Sequence, residues 1–276
     1  MMLKNLFPEK QNLQSRSLYE THDHGRDLIR LENISVTYRH HIALEKINCC
    51  FEQGSLTAII GPNGGGKSTL LKAILGIVPL ASGRISLNVS LDKTISYLPQ
   101  QAEMDRSFPL TVQDVVATGH CQHEGFFKRF DKNLQKKVES ALEEVGMLEC
   151  MNRALDELSG GQFQRVLFAR LILQDADCIL LDEPFTAIDS YTINDLIKVI
   201  LKWHKDGKTL LIVNHDLDLV QDHFPTSMMI ARRILDWGKT KEVITLDNLR
   251  RAKHISRHLE NRDVDPGDEI FEVKAT

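Results

Sequence analysis

The stretch GPNGGGKST at residues 61–69 holds four glycines and a lysine between two apolar runs, LTAII before it and LLKAILGIV after it. Its spacing fits the pattern G-x-x-x-x-G-K-[ST], filled by Gly61, Gly66, Lys67 and Ser68. The first apolar run is typical of a buried strand, and the second has the apolar spacing of a helix. The sequence therefore predicts a strand, a glycine-rich loop and a helix in direct succession.

This succession suits a polyphosphate. Glycines leave no side chain between backbone N–H groups and a ligand, and the unpaired N–H groups at a helix start favour an anion. We expect Lys67 to reach the β- and γ-phosphates and the Ser68 hydroxyl to bind Mg²⁺. A glycine-rich loop without a ligand is the alternative. The interpretation is a nucleoside triphosphate site formed by Gly61, Pro62, Asn63, Gly64, Gly65, Gly66, Lys67, Ser68 and Thr69.

Composition and charge narrow the class of protein. The chain has 276 residues, 42% of them apolar, a formal net charge of −4 and five cysteines without framework spacing. The charge argues against general nucleic-acid binding, which needs a basic face, and the cysteines fit reduced thiols. No apolar stretch approaches the roughly 20 residues that span a bilayer, and the N-terminus lacks the apolar core of a secretory signal. We expect a cytosolic protein, or a peripheral one on the cytoplasmic face of a membrane.

Periodicity divides the chain into three parts. Residues 1–27 are polar and irregular, residues 28–250 carry the periodic segments, and residues 251–276 form a charged tail. Within the central part, residues 28–61 alternate apolar and polar residues and are broken by turn residues, which predicts antiparallel strands leading into the strand before the phosphate loop. Helical spacing at residues 110–150 then predicts a helical segment that interrupts the core, and we expect the inserted helical subdomain at about 102–172.

Two further apolar runs end in polar residues: DCILLDEP at 177–184 and KTLLIVNHD at 208–216. Short continuous apolar runs are typical of parallel strands buried on both faces, and ligands bind at the carboxyl ends of such strands. The predicted fold class is therefore α/β. At this edge we expect Asp182 to hold the Mg²⁺ shell, Glu183 to polarise an attacking water and His215 to orient it.

A second helix start suited to an anion lies in LSGGQ at residues 158–162. Ser159 is a favourable N-cap, and the paired glycines Gly160 and Gly161 expose the backbone. An apolar helical run, FQRVLFARLILQ, follows directly. Two such helix starts in one chain are unusual and point beyond a simple phosphate-loop enzyme.

Taken together, these motifs make residues 28–250 resemble the ATP-binding subunits of ABC transporters. The resemblance implies a P-loop ATPase with a RecA-like parallel-sheet core, an antiparallel β subdomain and an inserted helical subdomain. GPNGGGKST stands for Walker A, YLPQ for the Q-loop, LSGGQ for the signature, CILLDEP for Walker B and TAID for the D-loop. Bound ATP and Mg²⁺ are the implied cofactors.

The same resemblance assigns roles to single residues. Tyr38 would stack on adenine, and the signature residues Ser159, Gly160, Gly161 and Gln162 with Asp189 of the D-loop would complete nucleotide binding. The catalytic residues would be Lys67, Gln100, Glu183 and His215, and the Mg²⁺ ligands Ser68, Gln100 and Asp182. Two alternatives stay open: Tyr38 as an ordinary strand aromatic, and a shifted register at Gln100, which Gln101 adjoins.

Partners are also implied by the resemblance. The working unit would be a homodimer in which the signature of one subunit closes over ATP held by Walker A of the other. It would act on a separate integral membrane permease, with a substrate-binding protein as an indirect partner. Segments 97–119, 181–190 and 214–225 look like the subfamily that imports zinc or manganese.

Other readings remain open at this point. Export, or import of iron or a metal chelate, would use the same motifs. A DNA-repair ATPase of the same superfamily would need a long coiled coil between Gln100 and Leu158, which the chain is too short there to hold. HCQH at residues 120–123 has side chains for a soft metal, although exposed loop residues are the simpler interpretation.

Overall fold

The computed structural model describes residues 27–39, 41–88, 95–100, 106, 108–120 and 131–262, with side chains as far as residue 255. Within these residues, the strands form two sheets, and helices cover the larger sheet on both faces. The α/β class predicted from the sequence is confirmed.

The larger sheet has six strands in the order β5-β6-β7-β3-β8-β9. All of its pairings are parallel except that of β9 with β8. Every residue of β3, β6 and β7 is buried, as expected for parallel strands covered on both faces. The strands are β3 (Leu56–Ile60), β5 (Ile95–Leu98), β6 (Cys178–Asp182), β7 (Thr209–Val213), β8 (Thr226–Ala231) and β9 (Arg233–Lys239).

The smaller sheet is antiparallel and has the order β2-β1-β4. It consists of β1 (Asp27–Tyr38), β2 (His41–Glu52) and β4 (Ser82–Leu87). Its apolar face packs with the first helix against one face of the larger sheet, in a cluster that includes Leu44, Leu70 and Leu211. The antiparallel strands predicted to lead into the strand before the phosphate loop are therefore present as β1 and β2.

The other face of the larger sheet carries the helical part of the molecule. A single apolar cluster joins Val115, Val138 and Phe168 to strand residues such as Leu181 and Ile212. The helices are α1 (Lys67–Ile74), α2 (Val112–Ala117), α3 (Lys132–Glu144), α4 (Gly160–Gln174), α5 (Ser190–Lys205), α6 (Leu217–His223), α7 (Thr240–Val243) and α8 (Leu246–Arg262).

Three features differ from the sequence prediction. The helix predicted through Val78 ends at Ile74, because Gly76 takes φ +65° and its N–H bonds to the Ala73 carbonyl, closing the helix. Strands β8 and β9 were not predicted, and helix α8 runs across the predicted limit at residue 250. The domain limits otherwise remain predictions, since most of both tails lies outside the described residues.

The described cysteines form no disulfide: Cys49, Cys50, Cys150 and Cys178 are all free. Burial raises the pKa of Cys49 and of Cys178 to about 12, so both remain thiols and act as packing residues. None of the helices in the described part of the chain combines the length and apolar character that crossing a membrane requires.

Candidate functional site

The glycine-rich loop between β3 and α1 is wedged against neighbouring backbone. A Cβ at Gly61, where φ is +147°, would lie 2.0 Å from the Ile230 carbonyl oxygen of β8. A Cβ at Gly66, where φ is +94°, would lie 2.6 Å from the Ala43 carbonyl oxygen of β2. These two positions therefore require glycine, and they hold the loop between the two sheets.

Helix α1 begins without a side-chain cap. Its N-cap residue is Gly66, and no side-chain hydrogen bond caps its first turn among the described residues. The loop therefore leaves backbone N–H groups at a positive helix end, the arrangement that binds phosphate.

Lys67 lies at this helix start with only 5% of its surface exposed. Its Nζ donates to the carbonyl oxygens of Gly61 and Pro62, each at 3.0 Å. Burial lowers the pKa of Lys67, while the carboxylates of Glu183 and Asp182 act to raise it. The ammonium group is thus held by the loop itself and close to the acidic end of β6.

The three residues predicted to bind Mg²⁺ meet at the carboxyl edge of the larger sheet. Ser68 Oγ donates to Asp182 Oδ1 at 3.0 Å, and Gln100 Nε2 donates to Ser68 Oγ at 3.4 Å. Asp182 is fully buried. A hydroxyl, a carboxylate and an amide oxygen are the hard ligands that Mg²⁺ prefers beside phosphate, so the residues present fit this ion.

Tyr97 is a residue of this site that the sequence reasoning missed. Its hydroxyl donates to Asp182 Oδ2 at 3.4 Å, although 85 residues separate the two in the chain. It lies on β5 opposite Leu180 of β6, and its side chain belongs to the same cluster as α1. The sequence signal that could have identified Tyr97 is its place in YLPQ, the segment that also contains Gln100.

Glu183 follows Asp182 in an unusual backbone conformation. Its φ is +50°, its N–H donates to the Val213 carbonyl oxygen at 3.1 Å, and its Oε2 accepts from Thr186 Oγ1 at 3.3 Å. A non-glycine residue with positive φ at a strand end costs free energy, and such strain concentrates at functional sites. The turn brings the half-buried carboxyl group to the sheet edge.

His215 lies at the same edge, two residues beyond the end of β7, and its side chain is exposed. The neighbouring strands β3 and β6 end in the phosphate loop and in Asp182. Three parallel strands thus deliver the predicted Walker A, Walker B and switch residues to one edge, as the α/β rule requires.

The signature residues form a closed cap at the start of α4. Ser159 Oγ accepts from the Gln162 N–H at 3.3 Å, and Gln162 Oε1 accepts from the Ser159 N–H at 3.0 Å. This reciprocal pair is a capping box, and the prediction that Ser159 is the N-cap is confirmed. Ser159 is exposed, and Gly160 and Gly161 form the first turn behind it.

The D-loop lies directly against this turn. A Cβ at Gly161 would come within 3.3 Å of Asp189 Oδ2 and 3.2 Å of Thr192 Oγ1. Asp189 itself caps α5, because its Oδ1 accepts from the Thr192 N–H at 2.9 Å. These hydrogen bonds hold the pKa of Asp189 below its ordinary value. The signature and Asp189 therefore form one surface.

Tyr38 is 44% exposed at the end of β1 and pairs with His41 across the hairpin. The adjoining strand β2 meets the phosphate loop through Ala43, which places the hairpin beside the loop. Of the HCQH stretch, Cys121 and His123 lie outside the described residues. Among the described residues, no group of three or more His, Cys, Asp or Glu side chains could hold a metal ion.

Comparisons with known proteins agree with this arrangement. The family model of ABC transporters matches residues 44–186. The manganese transport system ATP-binding protein MntB of Bacillus subtilis is 39% identical over 81% of this chain and 91% of its own length. The zinc transport system ATP-binding protein TroB of Treponema pallidum is 38% identical over 81% of this chain and 86% of its own.

A solved dimeric structure of an ATP-binding cassette, in a post-hydrolysis state with ADP and Pi bound, has the same fold. It aligns with a TM-score of 0.68 and 25% identity over 77% of this chain and 98% of its own. The sequence motifs, the fold and these similarities agree, and the chain belongs to the family of ABC transporter ATP-binding subunits, which hydrolyse ATP.

Proposed function

We propose that this chain hydrolyses ATP to energise the import of a divalent metal ion, zinc or manganese, through a separate membrane permease. The observation that supports the cargo most directly is the identity of 38–39% over four fifths of the chain to relatives named for manganese and zinc transport. The cargo itself need not touch this subunit, so its residues bear on the energy source rather than on metal selection.

Nucleotide binding rests on the phosphate loop and the uncapped start of α1. Lys67 would exchange its bonds to the Gly61 and Pro62 carbonyls for the β- and γ-phosphates, a trade of neutral acceptors for charged ones. The exposed ring of Tyr38, at the hairpin beside the loop, would stack on adenine. The backbone N–H groups of residues 61–69 would surround the phosphates.

Hydrolysis would occur at the sheet edge. Ser68, Asp182 and the amide oxygen of Gln100 would hold Mg²⁺, which neutralises charge on the phosphates when bound. Glu183 would accept a proton from the attacking water, and His215 would orient that water toward the γ-phosphate. The strained turn at Glu183 fixes where this carboxylate is presented.

The working unit would be a homodimer. The exposed capping box of Ser159 and Gln162 and the adjacent Asp189 form a surface on this chain, and in the proposal they cover the nucleotide held by a second copy. The solved dimer of a similar cassette supports this. Contacts with the γ-phosphate exist only before hydrolysis, so cleavage would release the two copies and drive the permease.

A permease partner places the chain on the cytoplasmic face of the membrane as a peripheral subunit. A substrate-binding protein on the opposite face would deliver the metal ion, and its contact with this chain would be indirect. Both statements follow from the proposed transport role, and the acidic net charge argues against general nucleic-acid binding.

The test uses Glu183→Gln, which keeps the size of the side chain and removes its basicity. Cells that lack the chromosomal copy would carry wild type or this variant under metal limitation, and elemental analysis would measure cellular manganese, zinc and iron. We expect one of manganese or zinc to be restored by wild type and not by the variant. The purified variant should still bind ATP and should hydrolyse it at least about a thousandfold more slowly.

The control is the level of each protein and its assembly with the permease, which should match. A selective recovery of iron alone would show the alternative cargo, and unchanged levels of all three metals would contradict metal import. Accumulation of a metal in cells without the protein would indicate export. In each of these cases the ATPase assay shows whether the chain hydrolyses ATP, independently of which cargo is transported.

A further inference from the structure

A buried amide group at the sheet edge has a donor that nothing in the described structure uses. Asn214 has 2% of its surface exposed, and its Nδ2 finds no acceptor among the residues that the structure describes. Leaving such a donor unpaired in the interior costs free energy, and proteins seldom retain one without a role.

The hydrogen bond made by the side-chain oxygen of Asn214 fixes the orientation of this amide group. Asn214 Oδ1 accepts from the Asp216 N–H at 3.0 Å. A flipped amide would set two donors against each other, so Oδ1 must face Asp216 and Nδ2 must be the unpaired atom. The backbone is fixed as well, because the Asn214 N–H donates to the Ile59 carbonyl oxygen at 3.1 Å and continues the pairing of β7 with β3.

Strand register places this donor beside the turn at Glu183, the proposed catalytic base. Asp182 of β6 pairs with Val213 of β7, so Glu183 and Asn214 occupy the next position of the two strands. Alternation along β7 puts Asn214 on the face of Leu210 and Ile212. That face shares its apolar cluster with Phe185 and Ile188, which belong to residues 183–189, here called the 183–189 loop.

The 183–189 loop is itself strained and joins two functional residues. Glu183 and Ala187 both have positive φ, +50° and +60°. The loop begins with the proposed catalytic base and ends with Asp189, which lies against the signature glycine Gly161. An unused buried donor next to a strained segment indicates a hydrogen bond that forms in another state of the site.

We propose that Asn214 is a positioning residue whose side-chain N–H donates to a main-chain carbonyl oxygen of the 183–189 loop when ATP closes the dimer. The bond would fix the Glu183 carboxylate for the attacking water and would couple it to Asp189 at the dimer surface. The inference rests on the proposed roles of Glu183 and of the dimer.

The first test is Asn214→Asp in the full chain. An ionised carboxylate keeps the acceptor for Asp216 and has no hydrogen to donate, whereas its protonated form regains one. Burial raises the pKa of a carboxyl group, so the donor should return as the pH falls. We expect kcat to be about tenfold below wild type near pH 8.5 and to approach wild type near pH 6, with KM for ATP little changed.

Wild type measured over the same pH range corrects for titration of Asp182, Glu183, His215 and Asp216, the ionisable groups around Asn214. A second pair of variants applies if Asn214→Asp does not fold. Asn214→Thr retains a hydroxyl donor, and Asn214→Val has the shape of threonine without that donor. We expect the threonine variant to exceed the valine variant in kcat. Equal kcat for these two, or a pH-independent ratio for Asn214→Asp, would overturn the proposal.

Dimer formation supplies the second readout. In the Glu183→Gln background, ATP-induced dimers should be weaker with Asn214→Val than with Asn214→Thr, measured by sedimentation. A loss of kcat with unchanged dimers would overturn the assignment to the loop, since the donor would then act on water alone. Failure of the proposed function gives a different result from failure of the Asn214 proposal, because wild type would then not hydrolyse ATP or Glu183→Gln would remain active.

Discussion

Helices α1 and α4 both begin at glycine-rich turns, and their first turns differ in what already occupies their N–H groups. The start of α1 has no side-chain cap, and its lysine is 5% exposed. The start of α4 is closed by the reciprocal bonds of Ser159 and Gln162, and Ser159 is exposed. In the proposed function, the first is a preformed anion site within one chain, whereas the second is a surface with satisfied hydrogen bonds that would meet a phosphate only through a partner.

The largest expected contrast comes from adding one methyl group to a glycine at each start. Gly61→Ala would set a Cβ 2.0 Å from the Ile230 carbonyl oxygen at a φ of +147°. Neither backbone segment can move without disturbing β3 and β8, so we expect the variant to unfold or to lose several kcal/mol of stability together with ATP binding. Thermal unfolding and ATP titration measure both.

The matched variant is Gly161→Ala. Its Cβ would contact side-chain atoms, Thr192 Oγ1 at 3.2 Å and Asp189 Oδ2 at 3.3 Å, and alanine favours a helix. We expect near-normal stability and ATP binding by the single chain but a large loss of ATPase activity, because the methyl group would press on Asp189 at the surface proposed to cover the partner's nucleotide. Wild-type ATPase activity in Gly161→Ala would contradict the dimer proposal, and a stable Gly61→Ala would contradict the described packing of the loop.

An intermediate contrast comes from replacing the serine at each helix start by alanine. Ser68→Ala removes the hydroxyl that bonds to Asp182, and Ser159→Ala removes the N-cap. We expect Ser68→Ala to keep its melting temperature and to lose about a hundredfold in Mg²⁺-dependent ATPase activity. Ser159→Ala should lose about 1 kcal/mol, or roughly 2–4 °C, while single-chain ATP affinity stays unchanged.

Calorimetry with and without MgATP separates the two effects. The threonine variant at each position is the control, since it keeps a hydroxyl that can bind Mg²⁺ at residue 68 and cap the helix at residue 159. If Ser159→Ala weakened ATP binding by the isolated chain, the signature would act within one subunit and the comparison of α1 with α4 would fail.

The two helix starts also show what a sequence predicts well. The loop before α1 and the cap of α4 depend on neighbours within a few residues, so their residue types carry the information locally. The buried runs of β3, β6 and β7 are also continuous in sequence. Their common edge followed from a general rule for α/β sheets rather than from any one residue.

Features that depend on distant contacts were missed. Tyr97 reaches Asp182 across 85 residues of sequence. Asn214, in the NHD segment, had no predicted role because only strand register places it beside Glu183. Strand β8 was not recognised because TSMMIA is almost wholly buried and has no motif at its end, and β9 is half-buried between its exposed ends Arg233 and Lys239. Helix α1 ended early because one glycine, Gly76, adopted positive φ.

The smallest expected effect is the pH dependence of stability that the buried charge of Lys67 causes. This dependence tests whether the site at the start of α1 is formed before the nucleotide binds. Burial lowers the folded-state pKa of this lysine below its ordinary value of 10.5. Between the folded and unfolded pKa values, the unfolded chain binds more protons, so the stability of the folded state rises with pH across that window. Lys67→Met lacks this titration.

Wild type should therefore gain stability relative to Lys67→Met as the pH is raised toward 10.5, measured by chemical unfolding at a series of pH values. Bound MgATP should reduce the difference, because the phosphates supply the negative charge that favours the ammonium form. The control is Lys198→Met, which removes the charge of an exposed lysine of α5. A constant difference between wild type and Lys67→Met would mean that the lysine stays solvated, and that the start of α1 is assembled by the nucleotide rather than preformed.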